Sequence, residues 1–186
     1  MTERKKGPRS EQEILRATID LIDLNGYTDL TIEAIAARAS VGKTTIYRWW
    51  TSKEELVLDA YLMQMEIQFD FNAKEPLQQG FLNNMKKLTY VLNSNLGRAV
   101  AMIVTEDDDI ADKFYTEYLK PRRTQSKDIL SLAVERGDIK SSVDLDMMLD
   151  MLYGPIYFRI FIFKDMPDAA YIKALVSKVI GPWLTK

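Results

Sequence analysis

An all-α fold is predicted by three features of the chain. Apolar residues recur at helical rather than alternating spacing, β-branched runs are few, and the 186 residues include only eight glycines and six prolines. Hydrophobic residues make up 47% of the sequence, enough to fill a packed core. Ser10 followed by Glu13 forms a capping box, after which Ile14, Ala17, Leu21 and Ile22 share one face of a helix that Asn25-Gly26 closes with a left-handed cap. Thr31 is a natural N-cap for IEAIAARA, and a break at Ser40 leads into GKTTIYRWW. Ser52 and Glu55 form a second capping box at the head of the long helix KEELVLDAYLMQMEIQFDF. That helix carries two apolar stripes, Leu56, Ala60, Met63, Ile67 and Phe71 beside Leu58, Leu62, Met65 and Phe69. A helix apolar on two sides is covered on two sides, so it is expected to join a small N-terminal domain, residues 1–53, to a larger one, residues 54–186.

After Pro76 the pattern stays helical over about 76–95, 97–105 and 109–119. Pro121 suits the first turn of a further helix that Gly137 ends, and two last helices cover about 144–164 and 168–184. The acidic run EDDD at 106–109 reads as a solvated helix start, where carboxylates complement the dipole, ahead of a Mg²⁺ site. The helix 144–164 is apolar nearly all round, which predicts that a second chain covers part of it. Met151, Phe158 and Phe161, with Ile172 and Val176 of its companion helix, are the candidate dimer interface.

The chain has no cysteine and no histidine. Disulfides and thiol chemistry are thereby excluded, together with the commonest metal ligand and the commonest general base near neutral pH. The opening MTERKKGPRS is charged and no apolar segment follows it, while the longest apolar stretch, MMLDMLYGPIYFRIFIF, is short of a bilayer span and contains Asp150 and Arg159. A cytoplasmic protein that does not enter membranes is expected. Net charge is −2, unevenly spread: residues 1–53 hold nine Lys/Arg against seven Asp/Glu, the remainder sixteen against twenty. A weakly basic head on an acidic body suits a protein whose first fifty residues meet phosphate.

The stretch ARASVGKT, residues 37–44, fits a relaxed phosphate-loop pattern and would suggest a nucleotide hydrolase. The residues before it, however, have helical spacing, and the supposed loop holds a single glycine, Gly42. A helix-turn-helix accounts for more. Ala36 is small where two helices cross, Val41 and Ile46 are apolar where the second helix meets the core, and Lys43, Thr44, Tyr47 and Arg48 share its other side.

ILRATIDLIDLNGY, followed by TIEAIAARASVGKTTIYRWWTSKEEL, resembles the N-terminal domain of the tetracycline-repressor (TetR) family of bacterial transcriptional regulators. YLKPRRTQSKDILSLAVERGDI and LDMLYGPIYFRIFI are similar, more weakly, to one class of that family's C-terminal domains. Ser40 stands where glycine is usual in the family, Trp49 where a smaller or basic residue is frequent, and Thr51 where proline is common. The resemblance implies a three-helix helix-turn-helix DNA-binding domain joined by a long helix to an α-helical ligand-binding and dimerisation domain. It implies a homodimer, released from a palindromic operator by a small organic ligand, with half-sites about 34–36 Å apart or somewhat more in the major groove. No catalytic residue, metal or cofactor is implied. The alternative is a family-like scaffold that binds DNA or protein without small-molecule control.

On this reading Thr31 caps its helix and also meets phosphate, Lys43 and Lys53 contact phosphate, and Thr44 and Arg48 read bases. Thr45 belongs to the matched spacing, Tyr47 reaches sugar-phosphate or a base edge, and Trp49 packs on sugar-phosphate or covers the helix end. Ile46 and Trp50 belong to the core. Candidate ligand contacts are Met63, Met65, Phe69, Phe81, Met85, Met102, Tyr115, Tyr118 and Met148, each a core residue when taken singly but jointly a Met- and aromatic-rich interior able to repack around apolar ligands. Arg98 or Arg159 would serve an anionic ligand if either faces the cavity.

Overall fold

The computed structural model describes residues 8–68 and 75–185. Helix α1, Pro8–Asn25, begins two residues before the expected cap, so Ser10 lies inside its first turn. Gly26 ends it at φ +79°, its amide donating to Ile22 O over 2.9 Å. Helix α2 is Ile32–Arg38, with Thr31 Oγ1 accepting from the Ala34 amide at 3.2 Å. The next turn is a Schellman arrangement: Ser40 N donates to Ala37 O, and Val41 N to Ala36 O. Ser40 takes the left-handed position of that motif at φ +54°, where glycine would be unstrained. Helix α3, Lys43–Ile46, is a single turn, and helix α4 is Lys53–Gln68. The second capping box forms with a shift. Ser52 Oγ accepts the Glu55 amide at 3.1 Å, but the Glu55 carboxylate takes the Thr51 amide at 2.9 Å, one residue earlier than the usual partner.

Helices α5, Leu77–Leu92, α6, Asn95–Glu106, and α7, Asp108–Phe114, follow. Asp107 Oδ1 accepts the Ile110 amide at 3.0 Å, so the acidic run does open a helix. The chain does not break before Pro121. A π-helical turn, Tyr115–Leu119, carries α7 directly into α8, Lys120–Glu135. Pro121 has no N–H to give the carbonyl four residues back, and the wider turn lies where that bond is missing. Helix α9, Leu145–Tyr157, contains Pro155 and likewise widens into a π turn, Phe158–Ile162. Helix α10, Ala169–Ile180, ends the series with a 3₁₀ turn, Gly181–Trp183. Among the described residues there is no strand, only an isolated bridge between Ile139 and Leu184.

Two compact units form, and their division differs from a cut after residue 53. Of the described residues, those up to 67 together with 94–114 make the first, and 68–93 together with those from 115 on make the second. The first unit extends past the helix-turn-helix because α4 buries Leu56, Val57, Leu58, Ala60, Tyr61 and Met65 completely, and such a surface needs cover from several sides. Helix α6 packs on α1, and Phe114 of α7 sets its ring edge against Tyr61 at 5.9 Å. In the second unit, Phe81 and Met85 of α5, Leu130 of α8, Leu149, Leu152 and Ile156 of α9, and Ile172, Val176 and Ile180 of α10 form one core.

Candidate nucleic-acid interface and effector cavity

The amides of residues 39–41, which a phosphate loop would have to aim at a nucleotide, donate instead to Ile35 O, Ala37 O and Ala36 O. Helix α2 stands where the loop's strand would be. The geometry is that of a helix-turn-helix.

Ile46 is fully buried and Trp50 is 2% exposed, so that face of the recognition segment is pinned to the core. The opposite face presents Lys43, Thr44, Tyr47 and Arg48 to solvent, with Thr31 exposed at the head of α2 and Thr45 half-buried. Lys43 Nζ lies 2.8 Å from Glu33 Oε1, an exposed ion pair that raises the lysine and lowers the carboxylate from their ordinary pKa values through a shared hydrogen bond. Such solvated pairs are weak, so Lys43 can exchange Glu33 for a phosphate. Lys53 is more constrained than expected. Its Nζ donates to Leu30 O at 3.3 Å and lies 4.3 Å above the Tyr27 ring, whose hydroxyl donates to Glu54 Oε1 at 2.7 Å. Burial, reinforced by that bond, pushes the Tyr27 phenol well above its ordinary pKa. Trp49 is half-buried and stacks on Trp50, ring centroids 5.9 Å apart, which covers the helix end.

Behind this face, Trp50 Nε1 donates to Asp59 at 2.7 Å, and Lys113 Nζ of α7 lies 2.9 Å from Asp59 and 3.4 Å from Glu55. The end of the helix-turn-helix is thus tied to α4 and α7 within one unit.

The second unit contains a cavity of about 460 Å³. Helix α5 contributes Asn84 and Leu88, the first π turn Tyr115, Tyr118 and Leu119, and α8 Arg122, Arg123, Gln125 and Ser126. Asp150, Tyr153, Gly154 and Tyr157 of α9 complete it. Of the sequence-predicted contacts, Tyr115 and Tyr118 line this space. Phe81, Met85 and Met148 do not; they are buried in the unit's core. Met65, fully buried, half-buried Met63 and exposed Met102 belong to the first unit, and Phe69 lies outside the described residues. Neither Arg98 nor Arg159 reaches the cavity: Arg159 pairs with Asp165 and lies over the Tyr171 ring. The cavity's liners recur at three- and four-residue steps, 115, 118, 122, 125 on one helix and 150, 153, 157 on another. That period was visible in the sequence, which singled out Tyr115 and Tyr118 from it but none of the other liners.

Along α9 and the π turn that continues it, Met147, Met151, Phe158 and Ile162 form one stripe of exposed apolar side chains, each at least half exposed. Phe161 is half-buried against the core. Ile172 and Val176, expected to meet a partner, are each 3% exposed and fill the unit's own core, so the outward face of α10 is Ala169, Ala170, Lys173, Ala174 and Ser177. No described helix is long and apolar enough to cross a membrane.

Comparison with known proteins agrees with this geometry. Residues 14–60 match the family model for bacterial regulatory proteins of the TetR family, and residues 78–179 match the tetracyclin repressor-like C-terminal domain. An HTH-type transcriptional regulator of Mycobacterium tuberculosis is 33% identical over 95% of this chain and 88% of its own. The HTH-type regulator YdeS of Bacillus subtilis is 29% identical over 95% of this chain and 92% of its own. The crystal structure of the TetR-family regulator SCO0332 covers 93% of this chain and 97% of its own, at 30% identity and a TM-score of 0.78. The chain belongs to the TetR family of bacterial regulatory proteins, DNA-binding transcriptional regulators that typically act as ligand-responsive homodimers.

Proposed function

We propose that the chain is a cytoplasmic, homodimeric repressor that reads a palindromic operator in the major groove and leaves it when a small organic molecule occupies the cavity of the second unit. Residues 1–53 form the DNA-reading head in this scheme, and residues 54–186 the ligand-binding and dimerisation part. The observation that carries the reading is the two-sidedness of the segment 43–50. Ile46 and Trp50 anchor it, leaving Thr44, Tyr47 and Arg48 outward beside the exposed Lys43–Glu33 ion pair. Thr44 and Arg48 read base edges. Thr31 and Lys43 contact phosphate, while Thr45 and Lys53 brace the segment. Two structures with this fold support an effector site, that of Bacillus subtilis FadR in complex with stearoyl-CoA and that of the flavonoid-responsive regulator FrrA.

The test begins with selection of the preferred site from randomised duplex DNA. Against that site and a scrambled duplex, Arg48→Ala is expected to lose about 1–3 kcal/mol of discrimination, whereas Lys43→Ala weakens both duplexes and lowers the salt slope by about one. Equal loss on both duplexes for Arg48→Ala overturns the assignment of base readout.

A further inference from the structure

Among the described residues, Tyr115, Tyr118, Tyr153 and Tyr157 line the cavity of the second unit beside Leu88 and Leu119. At about 460 Å³ it has the volume of a small-molecule site. Aromatic faces favour a flat aromatic guest, because offset and edge contacts add to plain burial. On α9 the wall stays open between two of these rings: Gly154 lines it there, and a Cβ at that position would meet nothing within 4 Å.

Tyr153 and Tyr157 lie one helical turn apart on α9, yet their hydroxyls are served differently. The Tyr153 hydroxyl donates to Asn84 Oδ1 at 3.4 Å and, with its proton so placed, accepts from Ser126 Oγ at 2.9 Å. It is satisfied within the wall. The Tyr157 ring lies 6.0 Å from that of Phe161, but its hydroxyl has no hydrogen-bond partner among the described residues. Burial, the largest cause, together with the neighbouring Tyr118 and Tyr153 phenols, holds Tyr157 well above the ordinary tyrosine pKa, so its oxygen keeps the proton. Buried donors are paired as a rule in folded proteins, and one that lines a ligand-sized space is placed for a guest to pair.

We propose that this cavity takes a planar aromatic carbonyl compound, its rings among the tyrosines and its carbonyl oxygen accepting from the Tyr157 hydroxyl. The proposal rests on the reading of this cavity as the effector site. Tyr157 is then a specificity-determining residue, since a guest without an acceptor leaves that O–H buried and unmet.

Calorimetric titration of the full-length protein with three related compounds tests it: 2-acetylnaphthalene, 2-ethylnaphthalene, which lacks the oxygen, and 2-acetyldecahydronaphthalene, which lacks the flat rings. The first two differ in their own hydration, so the quantity to read is the ratio of their affinities, compared between the unmodified protein and Tyr157→Phe. That preference for the ketone is expected to fall about three- to tenfold in the variant, the worth of one hydrogen bond, while 2-ethylnaphthalene binds no more weakly than before. The flat ketone should bind at least about threefold more tightly than its saturated counterpart. Infrared spectra of the unmodified protein decide the matter even if the variant does not fold. The isotope-labelled carbonyl band of bound 2-acetylnaphthalene should lie below its position in a hydrocarbon solvent, as for an oxygen that accepts a hydrogen bond. An unchanged ratio in Tyr157→Phe, a carbonyl band at the hydrocarbon position, equal or tighter binding of the saturated ketone, or no binding of 2-acetylnaphthalene overturns the proposal. Operator retention measured in the same samples separates the two readings. Selective binding of the flat ketone with the operator still held refutes the effector role and leaves the ligand class standing; release by all three compounds with equal potency does the reverse.

Discussion

The indole Nε1 of Trp50 donates to Oδ2 of Asp59 across 2.7 Å, and the other oxygen of that carboxylate receives Lys113 Nζ at 2.9 Å. Trp50 closes the helix-turn-helix, Asp59 is on α4 and Lys113 on α7, so one half-buried carboxylate fastens three segments of the first unit. Asp59→Ala would leave the indole N–H of a 2%-exposed ring without its acceptor and Lys113 with a single carboxylate from this pair of bridges. The expected loss is about 1–3 kcal/mol of stability, read from urea midpoints, with weakened DNA binding because the recognition segment loses its rear anchor. Equal stability of Asp59→Ala and the unmodified protein would refute the anchoring role.

Glu55 gives this corner a pH dependence. Its hydrogen bond from the Thr51 amide, the largest cause, and its proximity to Lys113 hold its carboxyl below the ordinary glutamate range. For a depressed carboxyl the stabilisation is complete above the unfolded value, about 4.3, and is lost as pH falls through the lower folded value. Urea midpoints at pH 7 and pH 3 should therefore differ less for Glu55→Gln than for the unmodified protein. A parallel pH response in the two proteins would count against the assignment.

Ser40 sits at φ +54°, at the glycine position of the Schellman turn between α2 and α3. A left-handed conformation costs a residue with a Cβ about 1–2 kcal/mol, partly offset by the greater chain entropy that glycine loses on folding. Ser40→Gly should raise stability by about 0.5–1 kcal/mol without altering the hydrogen bonds of the turn, visible as an upward shift in thermal midpoint. A lowered midpoint would mean that the serine hydroxyl does more for this turn than its backbone angle suggests.

The apolar stripe of α9 and the buried side of α10 should separate assembly from folding. Phe158→Glu or Met151→Glu, on exposed positions, is expected to yield folded protein that sediments as a monomer at micromolar concentration and binds an operator half-site weakly. Ile172→Glu, in the core, should prevent folding instead. Dimers persisting in both surface variants would place the interface elsewhere.

Local chemistry was legible from the residues alone. The Gly26 cap, the Thr31 cap and the Ser52–Glu55 box depend on hydrogen bonds that span four residues or fewer, and all three are present. The two-sided segment from Lys43 to Trp50 was equally readable, because helical phase alone separates Ile46 from Thr44 and Arg48. Periodicity does not say which neighbour covers an apolar face. Ile172 and Val176 were correctly apolar but face their own core, and α4 and α7 proved to belong with the first fifty residues because partners distant in sequence cover them. The cavity was hidden for a related reason. It is the space left where α5, α8, α9 and the π turn before α8 fail to meet, and apart from Tyr115 and Tyr118 its walls are largely polar side chains that an apolar pattern does not single out. Of the methionines nominated for it, Met65, Met85 and Met148 are where their burial energy is greatest, in the close-packed interior. A concavity is a property of how helices cross, set by the sizes of side chains meeting from far apart in the chain, and no single helix carries it in its own residues.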